Sequence, residues 1–144
     1  MTKVPADTQL TPFSLGEVNV HLEDAGHARV LEGGESFWAK LMAGGYPELE
    51  RGRLLTSFTF STSWSSWERH PAGEELVLLL SGAATLLVER EGKTERIELT
   101  KAGDFVLVPR SAWHTAQTRV PTTMLFLTPG AGTEHRPVES ETSL

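Results

Sequence analysis

The alternation of short apolar runs with turn residues is the feature that most constrains the fold of this chain. After Arg51 the runs are rich in β-branched, aromatic and aliphatic residues, and turn residues interrupt them about every eight to twelve positions. Residues 76–80 are apolar at every position, so we expect both faces of this strand to be covered. The pattern predicts an all-β sandwich or barrel.

The segment before Arg51 adds one predicted helix. Residues 35–42 place four apolar side chains on one helical face, namely Phe37, Trp38, Leu41 and Met42. Gly44 would end this helix. The predicted strands cover residues 18–22, 28–31, 54–64, 76–80, 84–90, 94–99, 105–108, 114–118 and 122–128.

The length of 144 residues indicates a single domain, residues 1–144. Its barrel core is expected over about residues 54–130, and residues 133–144 are polar and predicted to be a loosely held tail. Residues 1–10 lack the apolar run of a secretory signal, and the longest apolar run is far shorter than a membrane span. These features predict a cytoplasmic protein.

Charge and cysteine content exclude several functions. The 13 basic and 19 acidic residues give a net charge of −6, which argues against binding to nucleic acid or to an anionic membrane. The chain has no cysteine, so disulfides, thiolate metal sites and cysteine nucleophiles are excluded. Any metal ion must therefore be held by histidines and carboxylates.

Two stretches carry residues suited to such a site. In an extended strand, Glu68 and His70 project to the same side, and a turn over residues 71–73 could fold Glu75 back beside them. The second stretch starts at Gly103, continues through an apolar strand and a proline turn, and places another imidazole at His114. Two imidazoles with one or two carboxylates suit divalent iron, manganese, nickel or zinc.

The two stretches resemble the paired motifs of the cupin superfamily, G-x5-H-x-H-x3,4-E-x6-G and G-x5-P-x-G-x2-H-x3-N. The first motif corresponds here to Glu68-x-His70-x4-Glu75-x6-Gly82, and the second to Gly103-x5-Pro109-x-Ser111-x2-His114. The match covers about residues 58–128. Three positions depart from the pattern, since Glu68, Ser111 and Thr118 stand where cupins have His, Gly and Asn.

The resemblance implies a double-stranded β-helix, the jelly-roll barrel of cupins, with a ligand site inside it. Cupins usually hold one divalent metal ion there through three histidines and one glutamate. Carried over by position, the implied metal ligands are His70, Glu75 and His114, with Glu68 in place of the first histidine. The family also commonly pairs through its sheets, which implies a homodimer.

Several assignments have alternatives. Glu68 could instead be a general base, a protonated acid in a pocket, or the partner of Arg110. Glu74 would replace Glu75 as a ligand if the turn were one residue tighter. The remaining histidines lie outside both motifs and are interpreted as surface or structural residues: His21, His27 and His135.

Aromatic residues near the motifs are candidates for the pocket lining. If the strand runs unbroken, its alternation places three rings on the same face as Glu68, namely Phe58, Phe60 and Trp64. Trp113 could lie at the mouth of the pocket beside His114. Ordinary core packing or a dimer interface is the alternative for each of these rings.

The sequence therefore predicts a small cupin that binds a divalent metal and acts on a small organic molecule. An iron-dependent, dioxygenase-type reaction and an isomerase- or lyase-type reaction with proton transfer by Glu68 and His70 are both open. The alternative is a non-catalytic module, with or without a metal, that binds or senses a small ligand.

Overall fold

Strands dominate the structure, a computed structural model that describes residues 10–139. The α-helix α1 spans Glu35–Met42, and a 3-10 helix spans Pro47–Glu50. The strands are β1 (Val18–Leu22), β2 (Ala28–Glu32), β3 (Arg53–Phe60), β4 (Ser66–Arg69), β5 (Glu75–Ser81), β6 (Ala84–Arg90), β7 (Lys93–Leu99), β8 (Phe105–Val108), β9 (His114–Gln117), β10 (Thr122–Pro129) and β11 (Glu134–Pro137). The predicted helix and the predicted all-β class are confirmed.

These strands form two antiparallel sheets that pack face to face. The six-stranded sheet has the order β2-β1-β3-β10-β5-β8, and the five-stranded sheet has the order β11-β4-β9-β6-β7. The core between them takes apolar side chains from both sheets, including Val77, Leu79 and Met124 on one side and Leu86 and Ala116 on the other. This is the jelly-roll arrangement that the sequence predicts.

The predicted strand over residues 54–64 is wrong at its C-terminal end. β3 stops at Phe60, and the chain then crosses from one sheet to the other. The backbone N–H of Trp64 already donates to the carbonyl of Ala116, in the second sheet, at 2.9 Å. A strand pattern cannot reveal such a change of sheet, because polar residues such as Ser61 fit an exposed strand equally well.

Helix α1 lies beside the six-stranded sheet and is held by a small second core. Phe37 is fully buried there, and its ring lies 5.1 Å from that of Tyr46. Trp38, the next residue of the helix, has its ring 5.1 Å from that of Phe58 in β3. No helix in the described part of the chain is long and apolar enough to cross a membrane.

Part of the segment predicted to be a loosely held tail forms a strand. Residues Glu134–Pro137 form β11, which pairs with β4 at the edge of the second sheet. Glu134 accepts a hydrogen bond from Arg69 at 2.5 Å, and Arg136 pairs with Glu89 while lying over the ring of Trp67. Ion pairs and cation–π contacts, which sequence polarity does not reveal, thus hold this segment. Residues 140–144 lie outside the described residues.

Within residues 10–139, one face of β5 remains uncovered, so the cover expected on both faces of residues 76–80 is found on one face only. Val77 and Leu79 are fully buried in the core. Leu76 and Leu78 are only half-buried on the opposite face, and Leu80 is 42% exposed. The outer face of the six-stranded sheet is therefore apolar and open.

The turn that leads into β9 carries a strained residue. Ser111 has φ 63°, a left-handed conformation, at the position where the cupin pattern has glycine. Its N–H donates to the carbonyl of His70 at 3.1 Å, so this conformation ties the two motif segments together. A left-handed backbone costs a non-glycine residue roughly 1–2 kcal/mol.

Relief of this strain is measurable. We expect Ser111→Gly to raise the free energy of unfolding by about 1 kcal/mol, because glycine adopts φ 63° without steric cost. Ser111→Val at the same exposed position should lower it, because a β-branched residue is worse still in this region. Urea unfolding of the three proteins tests both, and a stabilising valine would contradict the account.

Candidate metal centre

Four chemically active side chains converge on the inner face of the barrel. Glu68 is in β4, His70 follows the end of that strand, Glu75 opens β5, and His114 opens β9. Glu68 and His114 are direct partners in the pairing of β4 with β9, which fixes their separation through the backbone. The turn over residues 71–74 returns the chain so that Glu75 faces them.

The atoms of this group lie close enough for a shared ion. A ligand atom from each of the four residues lies within 4.8 Å of the others. Oε1 of Glu75 lies 2.9 Å from Nε2 of His114 and 3.3 Å from Nε2 of His70. Oε2 of Glu68 lies 3.4 Å and 3.5 Å from the same two nitrogens. We call these four residues the quartet.

Three of these atoms are buried without a directed hydrogen bond: Nε2 of His70, Nε2 of His114 and Oε1 of Glu75. Unpaired buried polar atoms are rare in proteins because each costs about 1–3 kcal/mol. Their separations are short, but none of the three atoms has a partner in hydrogen-bond geometry. A group of this kind fits a cation, since imidazole nitrogen and carboxylate oxygen are both common ligands of divalent metals.

The outward-facing atoms of the quartet are fixed by partners behind it. Nδ1 of His114 lies 3.0 Å from the carbonyl of Ala112, which can only accept, so Nδ1 carries the proton. Nδ1 of His70 lies 2.9 Å from Oγ1 of Thr133. Thr128 donates its hydroxyl to Oε2 of Glu75 at 2.6 Å. These contacts orient both Nε2 atoms and Oε1 of Glu75 toward the centre.

Mutual charge pairing outweighs burial in this group. Burial opposes ionisation of Glu68, but the imidazoles of His114, His135 and His70 together hold its pKa well below its ordinary range. Burial also opposes ionisation of Glu75, whose pKa His114 and His70 nevertheless lower. Burial alone would lower both imidazole pKa values, yet Glu68 and Glu75 raise the pKa of His70 to about 9 and that of His114 to about 10.

A third histidine, which the sequence interpretation set aside, also reaches the quartet. His135 pairs with Glu68 in the register of β11 with β4, and its Nε2 lies 3.6 Å from Oε1 of Glu68. Glu68 raises the pKa of His135. Only the pairing of β11, in the segment predicted to be a loose tail, brings this residue to the site. His21 is buried against the carbonyl of Arg51, 2.7 Å away, in a structural role.

The quartet opens into a cavity of about 640 Å³ between the six-stranded sheet and α1. Phe58, Phe60 and Trp64 line it, although the strand that was expected to align them is broken. Trp113 is not among the described lining residues, because its ring packs between the guanidinium groups of Arg69 and Arg136. The sequence interpretation missed further rings in the wall, namely Trp38, Tyr46 and Phe126.

The alternatives for the acidic residues differ in their geometry. Glu74 is exposed and lines a separate crevice, which Arg110 also lines, whereas Glu75 is buried beside the histidines. Among the contacts within residues 10–139, Glu68 pairs with histidines and not with Arg110.

The quartet predicts how stability without metal depends on pH. The folded pKa values of His70 and His114 exceed the ordinary 6.5, so their stabilisation is complete below pH 6.5 and is lost as pH rises toward 9 and 10. Chelator-treated protein should therefore become less stable over this range in urea unfolding. His70→Gln should reduce the slope, because one titrating group is removed. An unchanged slope would contradict this assignment.

No protein-family model matches the sequence, and no curated protein matches it. Solved structures do resemble the fold. A cupin-2 domain protein from Shewanella frigidimarina NCIMB 400 is 16% identical, with 54% of this chain and 70% of that chain covered and a TM-score of 0.45. A cupin superfamily protein from Desulfitobacterium hafniense DCB-2 is 24% identical, with 54% and 67% covered and a TM-score of 0.46.

An oxalate oxidase superimposes over a larger part of this chain. The overlap covers 63% of this chain and 50% of the oxidase chain, with 14% identity and a TM-score of 0.50. Identity this low describes the fold and not the reaction. Together with the two antiparallel sheets and the quartet between them, the overlap leads to one conclusion: this chain has the fold of the cupin superfamily.

Proposed function

We propose that this protein binds a divalent metal ion through Glu68, His70, Glu75 and His114 and acts on a small organic molecule in the adjoining cavity. One observation carries the proposal: buried ligand atoms of His70, His114 and Glu75 converge without directed hydrogen bonds. Iron, manganese, nickel and zinc all suit this ligand set. When bound, the metal would supply Lewis acidity, and iron or manganese also redox chemistry.

Glu68 is the member of the quartet best placed to meet a substrate. Its side chain is 21% exposed, whereas those of His70, Glu75 and His114 are at most 4% exposed. Glu68 and His70 both line the cavity. A carboxylate and an imidazole that both face the cavity are the kind of pair that isomerase- and lyase-type reactions use for proton transfer. With iron in the site, a dioxygenase-type reaction is the other class we propose.

Metal-free ligand binding is the second candidate function, favoured by the charge balance of the quartet. The raised pKa values of His70 and His114 leave both imidazoles protonated at neutral pH, opposite two ionised carboxylates. Two positive and two negative charges compensate each other without a cation. In that state the barrel would bind or sense a small molecule without turnover.

Metal content separates the two candidates. Elemental analysis of untagged protein, purified without chelator, should find close to one divalent metal ion per chain. His70→Ala and His114→Ala should each lower metal occupancy at least tenfold, because each removes a ligand. His27→Ala, an exposed histidine far from the site in sequence, is the control and should retain the metal.

Retention of stoichiometric metal by both ligand variants would contradict the metal centre. Wild-type protein that stays empty after metal is supplied would favour the metal-free candidate. Circular dichroism of the variants shows whether the sheets persist, so loss of metal can be told from loss of fold.

We further propose that the protein is a homodimer that pairs through the six-stranded sheet. A row of apolar residues crosses its outer face on all six strands: Val30, Val20, Leu55, Leu127, Leu76 and Leu107. A second row contains Leu125, Leu78 and Phe105. Phe105 and Leu107 are 55% and 56% exposed in the single chain. Because these rows carry no charge, the surface suits contact with a second copy of the chain. A two-fold homodimer is the commonest closed assembly.

A charge in this face should separate the subunits. We expect light scattering to report a dimer for the wild type and a monomer for Leu107→Glu, because each copy would bury an unpaired carboxylate. Thr94→Glu, on the exposed strand β7 of the other sheet, is the matched control and should stay dimeric. A monomeric wild type at tens of micromolar would overturn the proposal.

A further inference from the structure

A continuous series of aromatic rings forms part of the cavity wall. Rings follow one another at contact distance, with centroids 5.1 Å apart for Trp38 and Phe58, 5.8 Å for Phe58 and Phe126, and 5.6 Å for Phe126 and Trp64. Helix α1 supplies Trp38, strands β3 and β10 supply Phe58 and Phe126, and the connection between β3 and β4 supplies Trp64. Flat apolar ligands gain most from such a surface, because ring faces and edges attract one another beyond simple burial.

Parts of this wall are not covered by the protein's own side chains. Phe58 lies on the inner face of β3, in register with the buried Met124, and is still 39% exposed. Met42, which also lines the cavity, is 78% exposed. Apolar surface of this kind is stabilised by burial at roughly 25 cal/mol per Å². A ligand with an apolar body would supply that burial.

Among the residues described, the cavity lining contains no lysine and no arginine. Apart from Tyr46, its ionisable side chains are Glu50, Glu68, Glu75, His70 and His135. Proteins bind carboxylate and phosphate groups mainly through arginine, lysine or a positively charged metal site. Because two carboxylates are in the quartet, a divalent cation there would be neutralised, and no net positive charge would remain to attract an anion.

Several polar groups of the lining lie together beside the quartet. Glu68 and His135 lie against each other there, and Thr133 contacts His70. The carboxylate of Glu68 offers acceptor oxygens for a hydroxyl proton. A ligand that fits both the rings and these polar groups has an apolar ring as its body and a small uncharged polar group directed toward Glu68.

We infer that the cavity takes a neutral aromatic molecule bearing a hydroxyl group and discriminates against aromatic carboxylates. The inference rests on the proposed function, in that this cavity is the substrate site. It deepens that function by specifying the substrate class. The aromatic wall, the uncovered apolar surface and the absence of cationic residues from the described lining each support it independently.

A matched pair of probes tests the inference on the full chain. Isothermal titration calorimetry at pH 7 compares 4-ethylphenol, which is neutral, with 4-ethylbenzoate, which has the same ring and alkyl group but a negative charge. We expect the phenol to bind at least tenfold more tightly. Equal or tighter binding of the benzoate overturns the inference, and so does the absence of measurable phenol binding.

Variants locate the binding to the cavity. Trp64→Ala should weaken phenol binding at least fivefold, whereas Phe13→Ala, an exposed aromatic outside the described cavity lining, should leave it unchanged. Met42→Arg adds a cation at an exposed lining position, where a misfolded product is not expected, and should improve benzoate binding relative to phenol. An affinity for the phenol that is unchanged in Trp64→Ala would place the ligand elsewhere and overturn the inference.

Titrations with metal-loaded and chelator-treated protein distinguish this inference from the proposed function. Stoichiometric metal with a preference for the benzoate would overturn the substrate class alone. A protein that binds no metal but still prefers the phenol would overturn the metal centre and leave the ligand class supported. The heat of binding is measured without turnover, so neither outcome depends on an active enzyme.

Discussion

The structure depends on a cluster of four ionisable side chains held out of water. Two carboxylates and two imidazoles would each be costly to bury alone, because an unpaired charge loses its hydration. They are tolerated together because Glu68 and Glu75 stand opposite His70 and His114 at 2.9–3.5 Å. The strands β4, β5 and β9 must therefore keep their relative positions. Turns of the chain, rather than the lengths of the side chains, set the distances between the carboxylates and the imidazoles.

The strand β11 extends this constraint to the end of the described chain. It forms the edge of the second sheet and contributes His135 to the mouth of the quartet, and Thr133, directly before it, contacts His70 from behind. Its own attachment is ionic and aromatic, through Arg136 on Trp67 and Trp113. An edge strand fixed in this way can position a site residue without contributing to the apolar core.

Much of the fold follows from local pattern, and much of the site does not. The helix and most strand limits could be predicted because apolar periodicity and turn residues act within a few positions. The spacing of the motif residues also anticipated a cluster that the structure places within one site. The alternation of side chains along a strand did not predict the facing of residues beyond Phe60, because the chain changes sheets there.

Residues that enter a site by pairing of distant segments leave little trace in the sequence. His135 reaches Glu68 only because β11 pairs with β4. Trp38 reaches the cavity because the separate core around Phe37 and Tyr46 docks α1 against β3. Neither contact has a local periodicity that could have indicated it. Locally, β11 is a polar segment and α1 is an amphipathic helix, as the sequence indicates. Their roles at the site depend on the tertiary arrangement alone.

The glutamate at position 68 links the proposed metal centre to the proposed choice of ligand. A third histidine there would leave a divalent site with one net positive charge, whereas Glu68 and Glu75 together balance the cation fully. The described cavity lining adds no lysine or arginine to restore a positive field. Apolar contact with the aromatic wall must then provide most of the affinity for a ligand. A single acidic substitution inside the barrel is thus expected to move such a site from anionic ligands toward neutral, ring-bearing ones.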